Sequence, residues 1–203
     1  MFSYDIQIKS VNADSVNEWW EDLRNGDKSG LKAIYSFYVE DMYRYGMAIL
    51  NNKSFVKDCV QEVFISLWKY RKNLREETNV KQYLFKSLSN KIQKEVAKES
   101  KLYHSNEIDK FEFNLVTESF ERQIIDEQQR SSIQKKLSKS LSSLPSRQRE
   151  VIHLLFFEEL TYEEVSKLMG INIRSVYTLA WKAISSLKKS LIVFIVAILY
   201  SIL

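Results

Sequence analysis

The sequence predicts an all-α protein: two small helical bundles joined by an acidic linker, the second containing a helix-turn-helix. Three observations predict it. The 203 residues include only 4 Gly and 1 Pro, too few for a turn-rich β architecture. Apolar residues recur every three or four positions over most of the chain. The segment Leu160–Ile184 reads as helix, tight turn, helix. In it, Thr161 caps a first helix and Glu164, three residues on, completes a capping box. Gly170 falls where the chain must leave that helix through left-handed backbone. Asn172 caps a second helix, with Val176, Ala180, Ala183 and Leu187 along one face. A helix pair of this kind places its second member in a DNA major groove.

The other elements follow in order. Residues 1–27, an N-terminal extension, hold Trp19 and Trp20 among acidic residues and predict a short helix. Leu31, Ile34, Tyr35, Tyr38, Met42, Tyr45 and Ile49 keep helical spacing, and Asn51–Ser54 breaks it. The next helix carries Val56, Val60, Val63, Phe64 and Leu67 on one face. Asn73–Asn79 is a polar loop, followed by a long helix from about Val80 to Lys98 with Leu84, Leu88 and Ile92 inward. Lys91, Lys94, Lys98 and Lys101 flank that apolar face. Residues 28–101 therefore form the first bundle and 102–129 the linker. In residues 130–189, Ile133, Leu137, Leu141 and Leu144 restore helical spacing. Pro145 then interrupts, Ser146 is placed to cap the next helix, and Val151, Ile152, Leu155 and Phe156 line it.

Charge and composition narrow the function. Net charge is only +4, but it is unevenly spread. Lys69–Lys101 holds ten Lys/Arg against four Glu, and Ser105–Gln129 holds seven Asp/Glu against two Lys/Arg. A basic element beside an acidic one suggests a DNA-facing surface and a solvated linker. Cys59 is the single cysteine, so an intramolecular disulfide is excluded. It sits among apolar residues and reads as a small buried hydrophobe rather than a nucleophile. His104 and His153 lack a ligand pattern, and no Gly-rich phosphate loop is present. The expectation is a protein that is no enzyme, needs no cofactor or metal, and works in the cytoplasm, since the N-terminus lacks a signal sequence.

Asp58, Gln61 and Glu62 share a helix face at i, i+3 and i+4, apart from Val60, Val63, Phe64 and Leu67. From spacing alone this is a solvated surface or a polar docking patch for a basic partner. Asp58-x-x-Gln61-Glu62-Val63-Phe64 followed by Leu67-Trp68 resembles the polymerase-binding segment of bacterial sigma factors. Tyr83-Leu-Phe-Lys86-Ser-Leu-Ser-Asn90 resembles the helix after it, which faces the start-proximal promoter box. Leu144-Pro145, Arg149-Glu150-Val151 and Leu160–Val165 are similar to the family's second DNA-binding domain. The order and linker length match the small extracytoplasmic-function (ECF) group.

The resemblance implies a subunit that binds core RNA polymerase and directs it to specific promoters, with an anti-sigma factor as a further partner. It implies that Asp58, Gln61 and Glu62 dock on the polymerase, with Phe64 and Trp68 holding the patch from the core. Tyr83, Lys86, Asn90, Lys91 and Lys94 would meet the start-proximal box, where extruded bases need stacking surfaces and the backbone needs cations. Tyr83 reads equally well as a core residue. Arg174, Ser175, Tyr177 and Thr178 would reach base edges and Lys182 a phosphate. Related proteins often carry basic residues where this chain has Tyr177, Leu179 and Trp181. The alternative function is a stand-alone or membrane-tethered helix-turn-helix regulator, which has no need of the Asp58–Trp68 patch.

Residues 190–203 form an apolar tail that the resemblance does not require. As a helix its apolar part spans roughly 20 Å, short of the ~30 Å hydrocarbon core of a bilayer. Three readings stay open. The tail packs back on the first bundle, makes a weak membrane contact beside Lys188 and Lys189, or binds a regulatory partner.

Overall fold

A computed structural model describes residues 13–76, 79–103 and 132–202 of the chain. The described residues form eight α-helices and one 3-10 turn, with no strand among them. They are α1 (Ala13–Asn25), α2 (Lys28–Ile49), α3 (Lys53–Lys69), the 3-10 turn Arg71–Asn73, α4 (Val80–Tyr103), α5 (Ser132–Ser142), α6 (Ser146–Phe156), α7 (Tyr162–Met169) and α8 (Ile173–Ile202). The acidic linker lies outside the described residues, except for its first two positions, which complete α4.

Short polar side chains start the helices. Asp27 accepts from the Ser29 amide at 2.8 Å, Asn52 from the Phe55 amide at 3.2 Å, and Asn79 from the Gln82 amide at 3.0 Å. The N-cap of α6 departs from the sequence reading. It is Pro145, with no side-chain cap, and Ser146 is the first helical residue. The fixed φ of proline, here −52°, suits the entry to a helix without a capping hydroxyl.

The first bundle packs as its spacing predicts, except at Tyr35, which is 47% exposed. Ile34, Met42, Val56, Leu84, Leu88 and Ile92 are all at most 1% exposed. Residues 13–25, set apart by the sequence as an extension, join this bundle: Trp20 and Leu23 of α1 are 1% and 0% exposed. The Trp20 indole N–H donates to the Arg75 carbonyl at 2.8 Å, and Arg24 Nε donates to the Leu74 carbonyl at 3.1 Å. α1 thereby holds the chain that leads into α4. In the second bundle the α6 core differs from the reading: Phe156 is 59% exposed and Leu154 is fully buried. α6 packs on α2 with one face and α8 with another, so it buries Glu150–Leu154 rather than a single stripe.

The two bundles share one hydrophobic core. Met42, Tyr45, Phe85 and Leu88 of the first bundle belong to the same cluster as Val151, Leu154, Val165 and Leu168 of the second. α2 lies on α6 and α4 on α7, making a continuous seam.

Close approach inside the first bundle depends on Gly30, where α2 meets α1. A Cβ there would lie 2.6 Å from the Leu23 amide nitrogen and would press on the Trp19 carbonyl. Both obstacles are backbone and cannot swing aside. Gly30→Ala is expected to destabilise the fold by about 3 kcal/mol, measured as a lower urea midpoint.

Candidate functional site

The helix-turn-helix forms as the residues require. Thr161 Oγ1 accepts from the Glu164 amide at 3.2 Å, and the Glu164 carboxylate accepts from the Thr161 amide at 2.8 Å. Gly170 ends α7 at φ +66°, and Asn172 Oδ1 accepts from the Ser175 amide at 2.8 Å to start α8. Val176, Ala180 and Ala183 anchor α8 in the core. Arg174, Tyr177, Thr178 and Lys182 are exposed on its other side, while Ser175 is partly covered. The Tyr177 ring stacks on Tyr162 at 4.2 Å between centroids, and Trp181 is 69% exposed. The indole is therefore on the surface and not in the core.

On α3, Asp58, Gln61 and Glu62 share one exposed face, while Phe64 is buried and Trp68 partly so. Arg71 stacks over the Trp68 ring at 4.2 Å. Beside the polar face, Ile65 is 57% and Tyr35 47% exposed, and both border a shallow groove with Leu31, Gln61, Phe64 and Trp68. The sequence reading set Tyr35 on the apolar face of its helix, which its exposure corrects, and gave Ile65 no role. Glu62 bonds to Lys91 of α4, and Lys91 also pairs with Glu95 at 3.1 Å. The hydrogen bond to Glu62 is the chief reason the Lys91 ammonium titrates above its ordinary range.

The residues read as DNA-facing on α4 do not share one environment. Asn90 and Lys94 are exposed. Tyr83, 37% exposed, meets Trp20 edge-on at 5.4 Å. Lys86 donates to the Leu168 carbonyl at 2.6 Å, at the last turn of α7. An ammonium there satisfies a carbonyl that the helix itself leaves open. Of the polar loop Asn73–Asn79, residues 77 and 78 lie outside the described residues.

Lys86 belongs to a polar seam that the sequence reading missed. Gln82 donates to Glu164 at 2.7 Å, and Lys81 pairs with Glu158 at 2.9 Å. Arg149 donates through Nε to the Ala48 carbonyl at 2.7 Å and through its terminal nitrogen to the Ser142 and Leu144 carbonyls. Glu150, 1% exposed, accepts from Tyr45 at 2.9 Å and from Arg147 at 3.1 Å. Burial first, and then the Glu150 carboxylate, push the Tyr45 hydroxyl well above its ordinary value, so it stays a donor. One signal was available: Glu150 falls in register with Val151 and Leu154 on the buried side of α6.

Burial of Cys59, 3% exposed, pushes its thiol up to about 11. A thiol held protonated is a packing group, not a nucleophile. Among the described residues no group of His, Cys, Asp or Glu is placed to hold a metal ion.

The fold and its surfaces define a two-bundle helical protein with a DNA-reading helix pair. Two family models match it: Sigma-70 region 2 over residues 34–102 and Sigma-70 region 4 over residues 134–187. The ECF RNA polymerase sigma factor SigM of Bacillus subtilis (strain 168) is 26% identical over 155 residues, covering 76% of this chain and 91% of that protein. Two solved structures share the fold. CnrH in complex with the cytosolic domain of CnrY has a TM-score of 0.59 at 16% identity, covering 88% of this chain and 97% of that one. The sigma factor RpoE in complex with the anti-sigma factor NepR from Bartonella quintana has a TM-score of 0.58 at 19% identity, covering 79% and 95%. The chain belongs to the sigma-70 family, as a two-domain member of the extracytoplasmic-function group.

Protonation of the seam follows from Glu158. Burial raises its pKa, but the His153 and Lys81 hydrogen bonds outweigh this and hold it below the ordinary value of 4.5. Its stabilising effect is thus complete above pH 4.5 and is lost as pH falls through the lower folded value. Nearby Asp41, raised by burial despite Arg44, acts in the opposite sense. Glu158→Gln is expected to flatten the acid limb of a stability–pH profile recorded by urea denaturation, with the wild type losing more stability below pH 4.5.

Proposed function

We propose that this chain binds core RNA polymerase through the α3 surface and directs it to promoters whose two boxes are read by α4 and α8. The observation that carries the reading is the exposed Asp58–Gln61–Glu62 face beside Ile65 and Tyr35, in the same molecule as a complete helix-turn-helix. Acidic and amide groups around an apolar centre suit a basic helical partner, because charge orients the encounter and apolar contact holds it. A regulator that binds operator DNA alone has no use for this surface.

On α4, Tyr83, Asn90 and Lys94 offer a stacking ring, an amide and a cation for an unpaired promoter strand. Lys86 and Lys91 join them once released from Leu168 and Glu62. On α8, Arg174 reads a guanine edge, Ser175, Tyr177 and Thr178 lie along the groove, and Lys182 holds a phosphate. The chain supplies recognition, and the polymerase carries out phosphodiester chemistry in the cytoplasm. Because Lys81, Gln82 and Lys86 are engaged by the second bundle, start-proximal reading requires the seam to part. The residues divide into a polymerase- and start-proximal domain (28–101, with α1 packed onto it) and an upstream-reading domain (130–189), with 102–129 between them. An anti-sigma factor, the class of partner named with RpoE, is the fitting regulator for a chain with these two surfaces.

In vitro transcription with purified core polymerase on a promoter library tests the reading. RNA starting at defined sites is expected only when the chain is added; operator binding by the chain alone, without such RNA, favours the stand-alone regulator. Glu62→Lys is expected to lower core binding at least about tenfold, read in a pull-down, with the melting temperature within a few degrees of wild type. Unchanged core binding contradicts the assignment of Glu62.

A further inference from the structure

α8 runs unbroken from the DNA-reading turn to Ile202. Beside its buried face lies a second apolar stripe that faces solvent: Tyr177 at 51%, Trp181 at 69% and Ile184 at 44% exposed. Their spacing of four and then three residues keeps them on one side of the helix. Lys188 comes next on this stripe, with Lys182 and Lys189 further round, and all three are exposed. From Ser190 to Leu203 the sequence holds twelve apolar residues and no charged one.

DNA reading accounts for Tyr177 but not for Trp181 and Ile184, the rest of the stripe. A recognition helix presents its first turns to base edges, and Ile184 stands almost three turns beyond Arg174. An exposed indole and aliphatic side chain flanked by lysines, continuing into an uncharged apolar run, fit the boundary of a lipid layer. There the rings occupy the headgroup level and the ammonium groups reach the phosphates. No helix among the described residues is long and apolar enough to cross a membrane.

We propose that α8 docks on an anionic lipid surface, with Tyr177, Trp181 and Ile184 entering the layer, Lys182, Lys188 and Lys189 pairing with headgroup phosphates, and the run from Ser190 to Leu203 joining the same layer. Tyr177 and Lys182 serve promoter DNA in the functional reading above, so lipid and DNA compete for them. The lipid contact itself needs no polymerase, and its test fails or succeeds independently of that reading.

The test is flotation of the purified full chain with vesicles of phosphatidylcholine alone or mixed equally with phosphatidylglycerol. The chain is expected to float with the anionic vesicles and to be released by high salt. Lys188→Glu with Lys189→Glu should reduce flotation about 25-fold, from roughly fivefold per lysine. Trp181→Ser with Ile184→Ser should reduce it about tenfold. All four positions are exposed, and unchanged thermal melting checks that the variants fold. Absence of flotation, equal flotation on neutral vesicles, or wild-type flotation of both variants overturns the proposal. Capture only by vesicles that carry a membrane protein also overturns it, in favour of a protein partner.

Discussion

Glu150 sits in the seam between the two bundles at 1% exposure, and its carboxylate is held by the hydroxyl of Tyr45 and the guanidinium of Arg147. Ser89 Oγ lies 3.5 Å away. A carboxylate removed from water is costly unless its lone pairs are filled by donors of good geometry. Tyr45 comes from α2, Ser89 from α4 and Arg147 from α6 itself. The low-energy arrangement for Glu150 therefore requires both bundles at one relative position. Apolar contact alone tolerates sliding; a buried charge with directional partners does not. The registry of Lys81 with Glu158, Gln82 with Glu164 and Lys86 with Leu168 follows from that fixed position.

The same seam sets the terms on which the chain functions. The face of α4 that begins with Lys81, Gln82 and Lys86 is occupied by the second bundle, whereas Arg174, Thr178 and Lys182 of α8 stay exposed. The α8 surface proposed to read the upstream box is thus open, and the α4 surface proposed for the start-proximal box is partly covered, in a single arrangement. Each seam contact is a charge-assisted or neutral hydrogen bond worth about 0.5–3 kcal/mol. A partner that binds one bundle more tightly when the seam is parted can supply that sum. A polymerase engaging both bundles along a promoter, as proposed above, would be such a partner, because each bundle would contribute its own binding energy.

Local features were legible in the sequence and the seam was not, for a physical reason. The capping box at Thr161, the left-handed Gly170 and the apolar faces of α3 and α4 depend on residues a few positions apart, so spacing reveals them. Trp20 and Glu150 owe their roles to neighbours that are distant in sequence. Trp20 meets Arg75, and Glu150 meets Tyr45 from 105 positions away. Periodicity marks which face of a helix is apolar but not which helix covers it. α6 shows the limit most plainly: two neighbours cover it, so a one-stripe reading chose Phe156, and the fold buried Leu154. At the site, Asp58, Gln61 and Glu62 were visible as a polar face. Ile65 was not singled out, because only its 57% exposure separates it from a core residue.

The central claim is that the seam is closed in the free chain and parts when the chain binds polymerase on a promoter. Spin labels at Glu21→Cys in α1 and Lys167→Cys in α7, both exposed positions, report the separation of the bundles in a Cys59→Ala background. Pulsed dipolar spectroscopy should give a single short distance for the chain alone and a longer one in the complex with core polymerase and promoter DNA. A short distance that persists in that complex, or a long one in the free chain, would contradict the account.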